Sequence, residues 1–350
     1  MDIRGLLKDT VKENASDLHL TTGSPPLLRI HGELCPVGDK RVLPGDTKKV
    51  IFELLSSEQK DLFDKKHSID LAYTFEGLGR FRINAYRQKG TITIAFRRLS
   101  DAILSLDSLG LPESLHRLSD LRDGLVLITG PTGSGKSTTL ATLIDMTNQT
   151  KSCNIITIED PIEYVHEYKK SVINQRELYT DVNSFSEAMR YALREDPDVI
   201  LVGEIRDVDT MRTAVTAAET GHLVFSTLHT HDCVSSINRI LGVFPPIEQQ
   251  YIRQQVSEVL KAVVSQRLLK CADGKIRIPA VEVMMITKGI GNLIRQGKTE
   301  QIYSAIETGG GFGMQTMEQS LVKLYQQGKI DKDTLFKTAK NVKLVEKRIS

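Results

Sequence analysis

The chain has 350 residues, enough for two or three domains, and its 40% hydrophobic and 26% charged residues are typical of a globular protein. The formal charge of +2 excludes a strong basic field of the kind that attracts nucleic acids or membranes. No stretch of 18 residues lacks a charged side chain, and the four cysteines are too far apart for a CxxC pair. We therefore expect a reduced, cytoplasmic protein that reaches a membrane only through a partner.

Residues 1–98 have the pattern of a small α+β domain. The predicted elements are a helix at about 3–14, strands near 17–20 and 27–32, a helical pair at about 44–64, and strands at 69–76, 79–87 and 90–98. The segment that follows, 99–112, carries Ser, Asp, Gly and Pro residues and is predicted to be a linker.

From about residue 113 the pattern changes to apolar strands that alternate with helices. The predicted strands are 124–129, 154–158, 198–202 and 222–228, and the clearest helices between them are 184–196 and 207–220. This alternation predicts an α/β fold with a parallel sheet covered by helices on both faces. Beyond about residue 245 the chain is predicted to be mainly helical, and 113–350 to form the second domain.

The segment 130–138 reads GPTGSGKST and matches the phosphate-loop pattern G-x-x-x-x-G-K-[ST], between a predicted strand and a predicted helix. Glycines let backbone N–H groups converge on phosphate oxygens, because no Cβ stands in the way. The lysine supplies a point charge to the β- and γ-phosphates, and the hydroxyl after it ligates Mg²⁺. The predicted nucleotide-binding residues are Thr132, Gly133, Ser134, Gly135, Lys136, Ser137 and Thr138.

An acidic residue follows the apolar strand at 198–202, where the sequence continues with Gly203 and Glu204. ATP hydrolysis needs such a carboxylate at the end of a neighbouring strand, facing Mg²⁺ and the attacking water. We predict that Glu204 polarises this water, directly or through a metal-bound water. The alternative is a structural acid that caps the helix beginning near Asp207.

A histidine follows the strand at 222–228, so that His229 is expected at the same edge of the sheet as Glu204. It is a candidate sensor of the γ-phosphate, or a group that positions Glu204. A purely structural histidine is the alternative. His222 and His231, which flank the same strand, are interpreted as structural.

Three acids, Glu159, Asp160 and Glu163, follow the strand at 154–158 and are expected at its carboxyl end. They are candidates to hold the water shell of the metal or to receive an arginine from a neighbour, and Glu163 is the better one. The alternative is a turn at Asp160-Pro161 with solvated acids.

Two arginines of the first domain are candidates to complete the site, because ATP hydrolysis often uses an arginine from another subunit or domain. Period-two alternation puts Arg82 and Arg97 on the polar faces of their strands. The alternative is a merely solvated face. Arg194, just before the strand at 198–202, and Arg206 and Arg212, just after it, are weaker candidates.

Together these motifs resemble those of the secretion-ATPase superfamily, and specifically the PilT-like type IV pilus retraction ATPases. The resemblance covers nearly the whole chain. It rests on ASDLHL at 15–20, RFRINAY at 80–86, AFRR at 95–98, TIEDPIEYVH at 157–166, ALREDPDVILVGEIRD at 192–207, TAAETGHLVFSTLHT at 216–230 and MQTMEQSL at 314–321.

This resemblance implies a homo-hexameric motor whose subunit has an N-terminal PAS-like domain, a flexible linker and a RecA-like ATPase domain with C-terminal helices. ATP would lie between the two domains, with Glu204 as the catalytic glutamate, Glu163 and His229 in support, and Arg82 and Arg97 completing the site. The ring would act at the inner face of the cytoplasmic membrane on a pilus platform protein. It would drive pilus disassembly and twitching motility, alone or beside a paralogous motor.

The resembled family also contains assembly and secretion motors, which are longer at the N-terminus and typically carry a tetracysteine zinc motif. The resemblance therefore favours retraction, with an assembly or type II secretion ATPase as the alternative. A nucleic-acid translocase is disfavoured by the near-neutral charge and the 5% aromatic residues. A regulator that binds ATP without hydrolysing it is disfavoured by Glu204.

One segment departs from the resembled family. The retraction ATPases carry a segment like Ala-Ile-Arg-Asn-Leu-Ile-Arg, whereas residues 289–295 read Gly-Ile-Gly-Asn-Leu-Ile-Arg, with Gly291 in place of an arginine. The spacing of Ile290, Leu293 and Ile294 is also that of a short amphipathic helix at 287–294 with these side chains in a core.

Overall fold

The computed structural model describes residues 1–99, 102–274 and 276–349, so Ser100 and Asp101 of the predicted linker lie outside the described residues. The chain divides into two compact units. The first comprises Met1–Ala102, Asp160–Val165 and Glu177–Val182, and the second Ile103–Glu159, His166–Arg176 and Asn183–Ser350. The first unit therefore contains two short segments from the middle of the chain in addition to the predicted domain at 1–98.

The first unit is built on a six-stranded antiparallel sheet in the order β3-β2-β1-β6-β5-β4. Its strands are β1 Asp17–Leu20, β2 Leu27–Ile30, β3 Glu33–Pro36, β4 Ser68–Phe75, β5 Gly79–Gln88 and β6 Thr91–Arg98. Its helices are α1 Ile3–Lys12, α2 Pro44–Leu54 and α3 Ser57–Lys66. The sequence did not predict β3, because this strand is short and largely exposed and so has no buried face to set an alternation.

The core of the first unit lies on one face of this sheet. Phe81 and Ile83 of β5 and Phe96 of β6 are fully buried there, together with Phe63 of α3. Because successive side chains of a strand alternate between faces, the residues between them point to the opposite side. That opposite face carries the arginines of β5 and β6.

The second unit contains a seven-stranded sheet in the order β13-β12-β7-β11-β10-β8-β9. Its strands are β7 Gly124–Thr129, β8 Asn154–Glu159, β9 Val172–Glu177, β10 Val199–Val202, β11 Leu223–Leu228, β12 Leu260–Lys270 and β13 Arg277–Met285. Its helices are α4 His116–Ser119, α5 Lys136–Thr150, α6 Phe185–Ala192, α7 Val208–Glu219, α8 Cys233–Gly242, α9 Pro246–Val259, α10 Lys288–Gln296, α11 Ile302–Thr308, α12 Met317–Gln326, α13 Lys332–Thr338 and α14 Val342–Ile349.

The four strands predicted from the sequence, β7, β8, β10 and β11, pair in parallel as predicted, but the sheet of the second unit as a whole is mixed. Strands β12, β7, β11, β10 and β8 pair in parallel, whereas β13 runs antiparallel to β12. The prediction of a mainly helical chain beyond residue 245 missed both β12 and β13. Most of their side chains are buried, but buried polar residues such as Ser265, Gln266 and Glu282 interrupt the continuous apolar run by which β7 and β10 were recognised.

The segment predicted as a linker, 99–112, also contributes to a core. Leu106 is fully buried and Leu111 is nearly so, both in the apolar cluster around β7 and β11. The segment was predicted as a linker from its turn residues, whereas the residues from Ile103 onward belong to the second unit. In the part of the chain that the structure describes, no helix is both long and apolar enough to span a membrane.

Candidate active site

The connection between β7 and α5 has the backbone shape of a phosphate-binding loop. Three of its glycines have positive φ angles: Gly130 at 144°, Gly133 at 78° and Gly135 at 89°. A Cβ on Gly130 would lie only 2.3 Å from the carbonyl oxygen of Gln266. The loop therefore needs glycine at 130 both for its conformation and for the close approach of β12.

Lys136 is held at the first turn of α5 by the loop itself. Its Nζ donates to the carbonyl oxygens of Gly130 at 2.8 Å and Pro131 at 3.1 Å, and the residue is buried. The hydroxyl of Ser134 is buried without a hydrogen-bond partner among the described residues. A buried lysine beside a buried hydroxyl that has no partner fits an anion such as a phosphate chain.

The other predicted binding residues lie on the same loop and helix. Thr132 and Gly133 are exposed in the loop, Gly135 is the N-cap of α5, and Ser137 and Thr138 follow Lys136 in its first turn, where Ser137 is exposed. A helix N-terminus directs its free backbone N–H groups and its positive end outward, which favours a phosphate group there.

A cavity of about 410 Å³ adjoins this loop. Residues 131–134 form one side, and the other residues that line it come from later in the chain: His231, Arg267, Leu268, Leu269, Lys337 and Thr338. None of these was predicted to belong to the site. The sequence around Gln266 and Arg267 predicts a helix, and His231 is interpreted as structural. No local sequence pattern therefore indicates that these residues lie close to the loop.

Glu204 stands just past β10, between the side chains of Arg206 and His229. Its Oε1 accepts from Nη2 of Arg206, and its Oε2 lies 3.5 Å from Nε2 of His229. Thr227 in β11 donates from its hydroxyl to the carbonyl oxygen of Gly203 at 2.7 Å, which ties the two strand ends together. The structure thus brings Glu204 and His229 together, and Arg206 is the direct partner of the carboxylate.

Glu163 lies in the segment Asp160–Val165. This segment follows β8 in the sequence but belongs to the first unit, whereas β8 belongs to the second. Its Oε1 is 3.6 Å from Nη1 of Arg82. This arginine belongs to the same chain and the same unit, so the two roles expected for these acids stay predictions.

The segment around Glu163 is braced by a buried ion pair. Arg80 donates from Nε to the carbonyl oxygen of Ile162 at 2.9 Å, and its Nη2 contacts Glu177 Oε2 at 3.2 Å. Glu177 accepts from the backbone N–H of Ile162 at 3.1 Å. Burial raises the pKa of the Glu177 carboxyl. The ion pair with Arg80 and the N–H donors oppose this shift, because they stabilise the ionised carboxylate.

Arg82 and Arg97 face each other directly across β5 and β6, on the polar side of the first unit's sheet. Like charges directly opposite each other in a sheet repel, so each needs a counter-ion. Asp70 of β4 binds Arg82, and Asp17 of β1, which is directly opposite Arg97, binds that arginine. The sequence predicted the face of the two arginines but not that they lie opposite each other, nor the aspartates that bind them.

The phosphate loop and the strand-end glutamate on one α/β sheet define a P-loop ATPase. A family model described as "Type II/IV secretion system protein" matches residues 1–340 of this chain. The chain therefore belongs to the type II/IV secretion system protein family.

Named relatives cover almost all of the chain. This chain is 46% identical over 340 residues to the "Type IV pilus retractation ATPase PilT" of Pseudomonas aeruginosa. The match covers 97% of this chain and 98% of that protein. This chain is also 43% identical over 316 residues to a "Twitching motility protein" of Neisseria gonorrhoeae. That match covers 90% of this chain and 84% of the relative. A solved structure described as the "Pilus Retraction Motor PilT and Bound ADP" is 43% identical, with a TM-score of 0.92 and coverage of 99% of both chains. This solved structure is described with a bound ADP, which supports nucleotide binding by the fold.

Proposed function

We propose that this protein is an ATP-driven motor that retracts type IV pilus fibres. The observation that carries the proposal is the match over 97% of this chain to a protein named as a pilus retraction ATPase, with a P-loop and a strand-end glutamate in the corresponding fold. We further propose a PAS-like fold for the first unit and a RecA-like fold for the second.

The nucleotide would bind through the loop at 130–138. Lys136 exchanges its two carbonyl acceptors for oxygens of the β- and γ-phosphates, and the hydroxyl of Ser134 gains a partner. Bound with ATP, Mg²⁺ neutralises charge on the phosphates, and Ser137 and Glu204 are the residues that would hold it, the latter through water. In the described part of the chain, no group of three His, Cys, Asp or Glu residues is placed to bind a metal, so phosphate oxygens and water would supply most of the ligands.

Glu204 would align the attacking water, with His229 fixing the orientation of its carboxylate. Because the glutamate also contacts Arg206, it is held from two sides and has little freedom to turn away. Arg82 and Arg97 would stabilise charge on the γ-phosphoryl group as it transfers, and Glu163 would exchange with the phosphate as a partner of Arg82. Two guanidinium groups side by side on a rigid sheet suit a multiply charged anion better than a single carboxylate.

Several features of the motor remain part of the proposal. Subunits would form a homo-hexamer, and the two units of each chain would open and close as ATP is bound and hydrolysed. The ring would lie in the cytoplasm against the inner face of the membrane and would act on a pilus platform protein, alone or with a paralogous motor.

The test combines an enzyme assay with a cell assay. Glu204→Gln keeps the shape of the side chain but removes its charge, and we expect kcat to fall about 100-fold or more while ATP still binds. Glu195→Gln is the matched control, because Glu195 pairs with Arg176 at 2.9 Å on the surface of the same unit. In a cell that makes pili but lacks its retraction motor, the wild-type chain should restore twitching, and Glu204→Gln should not.

Two outcomes would contradict the proposal. Full hydrolysis by Glu204→Gln would remove the assigned catalytic glutamate. A wild-type chain that hydrolyses ATP, leaves retraction absent and instead restores pili in a cell without its assembly motor would identify an assembly ATPase.

A further inference from the structure

The two arginines on the polar face of the first unit are fixed in similar ways. Arg82 donates from Nε to both carboxylate oxygens of Asp70 at 3.1 Å, and from Nη2 to Oδ2 at 2.6 Å. Arg97 donates from Nε to Asp17 Oδ1 at 2.9 Å. In both cases the carboxylate binds the guanidinium at its Nε side, close to the stem of the side chain.

A guanidinium has five N–H groups arranged in a planar fork. When a carboxylate occupies the Nε side, the edge formed by the two terminal nitrogens points away from it and keeps the geometry of a second fork. For Arg82, that second edge includes Nη1, which lies 3.6 Å from Glu163, beyond hydrogen-bond distance. Arg82 can therefore bind a phosphate through its terminal nitrogens without leaving Asp70.

The positions of the aspartates in the sheet support a positioning role. Ala72 of β4 lies directly opposite Arg82, and Asp70 is two residues away on the same face, so its carboxylate reaches the arginine diagonally. Asp17 is buried, lies opposite both Arg29 and Arg97, and also accepts from the Ser16 hydroxyl at 2.7 Å. Both carboxylates are thus anchored on strands, which makes them rigid supports.

We propose that Asp70 and Asp17 are positioning residues that hold Arg82 and Arg97 by their Nε sides and present the terminal nitrogens of both arginines to the γ-phosphate of ATP. The inference rests on the proposed function, since it assumes that these arginines act on ATP. Asp70 and Asp17 are permanent supports in this arrangement, whereas Glu163 is the exchangeable partner.

The test is a double-mutant cycle on the full-length protein, with kcat and KM for ATP measured for Asp70→Asn, Arg82→Ala and the combined variant. Asparagine keeps the shape but loses the charge and one acceptor. We expect Asp70→Asn to lower kcat about tenfold, because a misoriented guanidinium loses its contact mainly in the transition state, with KM changed less than about threefold. In the Arg82→Ala background the same substitution should have no further effect, since Asp70 acts only through Arg82.

Asp64→Asn is the matched control, because Asp64 binds Arg87 at 2.6 Å on the same unit, and its kcat should remain that of the wild type. Thermal unfolding of each variant separates loss of folding from loss of positioning. If Asp70→Asn instead damaged the sheet, it would lower kcat further in the Arg82→Ala background as well. If Arg82→Ala is impaired and Asp70→Asn is not, the inference alone fails. A higher kcat/KM in Asp70→Asn would also overturn it, because the aspartate would then be a competitor of the phosphate. If Arg82→Ala hydrolyses ATP like the wild type, the proposed role of the arginines fails first.

Discussion

At the scale of single residues, the partners of a polar side chain decide what it can do. Lys136 donates to two loop carbonyls, and these neutral acceptors can be exchanged for phosphate oxygens. His166 is the opposite case: it is largely buried, and its Nδ1 has no hydrogen-bond partner within the described ranges. Burial lowers the pKa of His166 to about 4, because the charged imidazolium would be poorly solvated.

This buried histidine predicts a specific acid sensitivity. The pKa of His166 is lower in the folded state than its ordinary value of 6.5, so the unfolded chain binds the proton more readily. The contribution of neutral His166 to the free energy of unfolding is therefore fully present above pH 6.5. This contribution is lost as the pH falls through the folded pKa of about 4, and the loss amounts to roughly 3 kcal/mol. His166→Gln should reduce the difference in unfolding free energy between pH 7 and pH 4, measured by urea denaturation.

The control for this prediction is His222→Gln. The ring of His222 already bonds the carbonyl oxygen of Ala217 at 2.9 Å, and its loss should leave the acid sensitivity due to His166 in place. An acid response that is the same in His166→Gln and in the wild type would show that His166 does not titrate in the folded protein as its burial implies.

A site residue could be predicted where its role follows from a motif of consecutive residues. Lys136 and Glu204 lie in motifs in which the strand, the turn and the functional group are consecutive. Gln266 comes within 2.3 Å of the Cβ position of Gly130, yet it is far from the loop in sequence, and no local pattern links the two. Asp70 was missed for a similar reason, because an acid on a polar strand face is usually only solvated.

At the scale of elements, helix α10 packs closely on α9, and two of its glycines differ in the space around them. A Cβ on Gly291 would lie 3.1 Å from the carbonyl oxygen of Ser257 in α9. A Cβ on Gly289 would have its nearest neighbour, the Thr287 hydroxyl, at 3.7 Å, an ordinary contact. Ile290 and Ile294 are fully buried, as the amphipathic pattern predicts, whereas Leu293 is half-buried.

This pair of glycines gives a matched prediction. Gly289→Ala should stabilise the protein by up to about 1 kcal/mol, because alanine loses less backbone entropy than glycine in a helix. Gly291→Ala gains the same helix propensity but must push α9 and α10 apart, so we expect no gain or a loss of about 1 kcal/mol. Chemical denaturation of both variants tests this, and an equal stabilisation by the two would contradict the close packing at Gly291.

Element types were predictable where one face of an element is buried and the other is wet. Strands β5 and β6 alternate in this way, and their bounds were predicted within a residue or two. Strands β12 and β13 could not be predicted, because buried polar residues such as Gln266 and Glu282 interrupt the continuous apolar run by which β7 and β10 were recognised. Segment Asp160–Val165 shows a different limit: it follows β8 in sequence, but its contacts place it in the first unit, and only tertiary packing around Arg80 and Glu177 decides that.

At the scale of the whole molecule, the groups proposed for catalysis are divided between the two units. Lys136 and Glu204 belong to the second unit, whereas Arg82, Arg97 and Glu163 belong to the first. A motor of the proposed kind needs such a division, because hydrolysis can then depend on whether the units, of one chain or of neighbouring subunits, are together. The sequence alone predicted both groups of residues, but their roles in one reaction still rest on the proposal.

The most direct measurement is the steady-state ATPase rate per subunit as a function of protein concentration, with particle size measured in parallel, for the wild type and Arg82→Ala. We predict that the wild-type rate rises as hexamers form, and that Arg82→Ala still assembles but loses about 1,000-fold or more of its kcat, the loss typical of an arginine finger. A rate that does not depend on concentration, produced by a monomer and unchanged by Arg82→Ala, would contradict the account. The P-loop ATPase would remain, but the ring motor and its arginine-completed site would not.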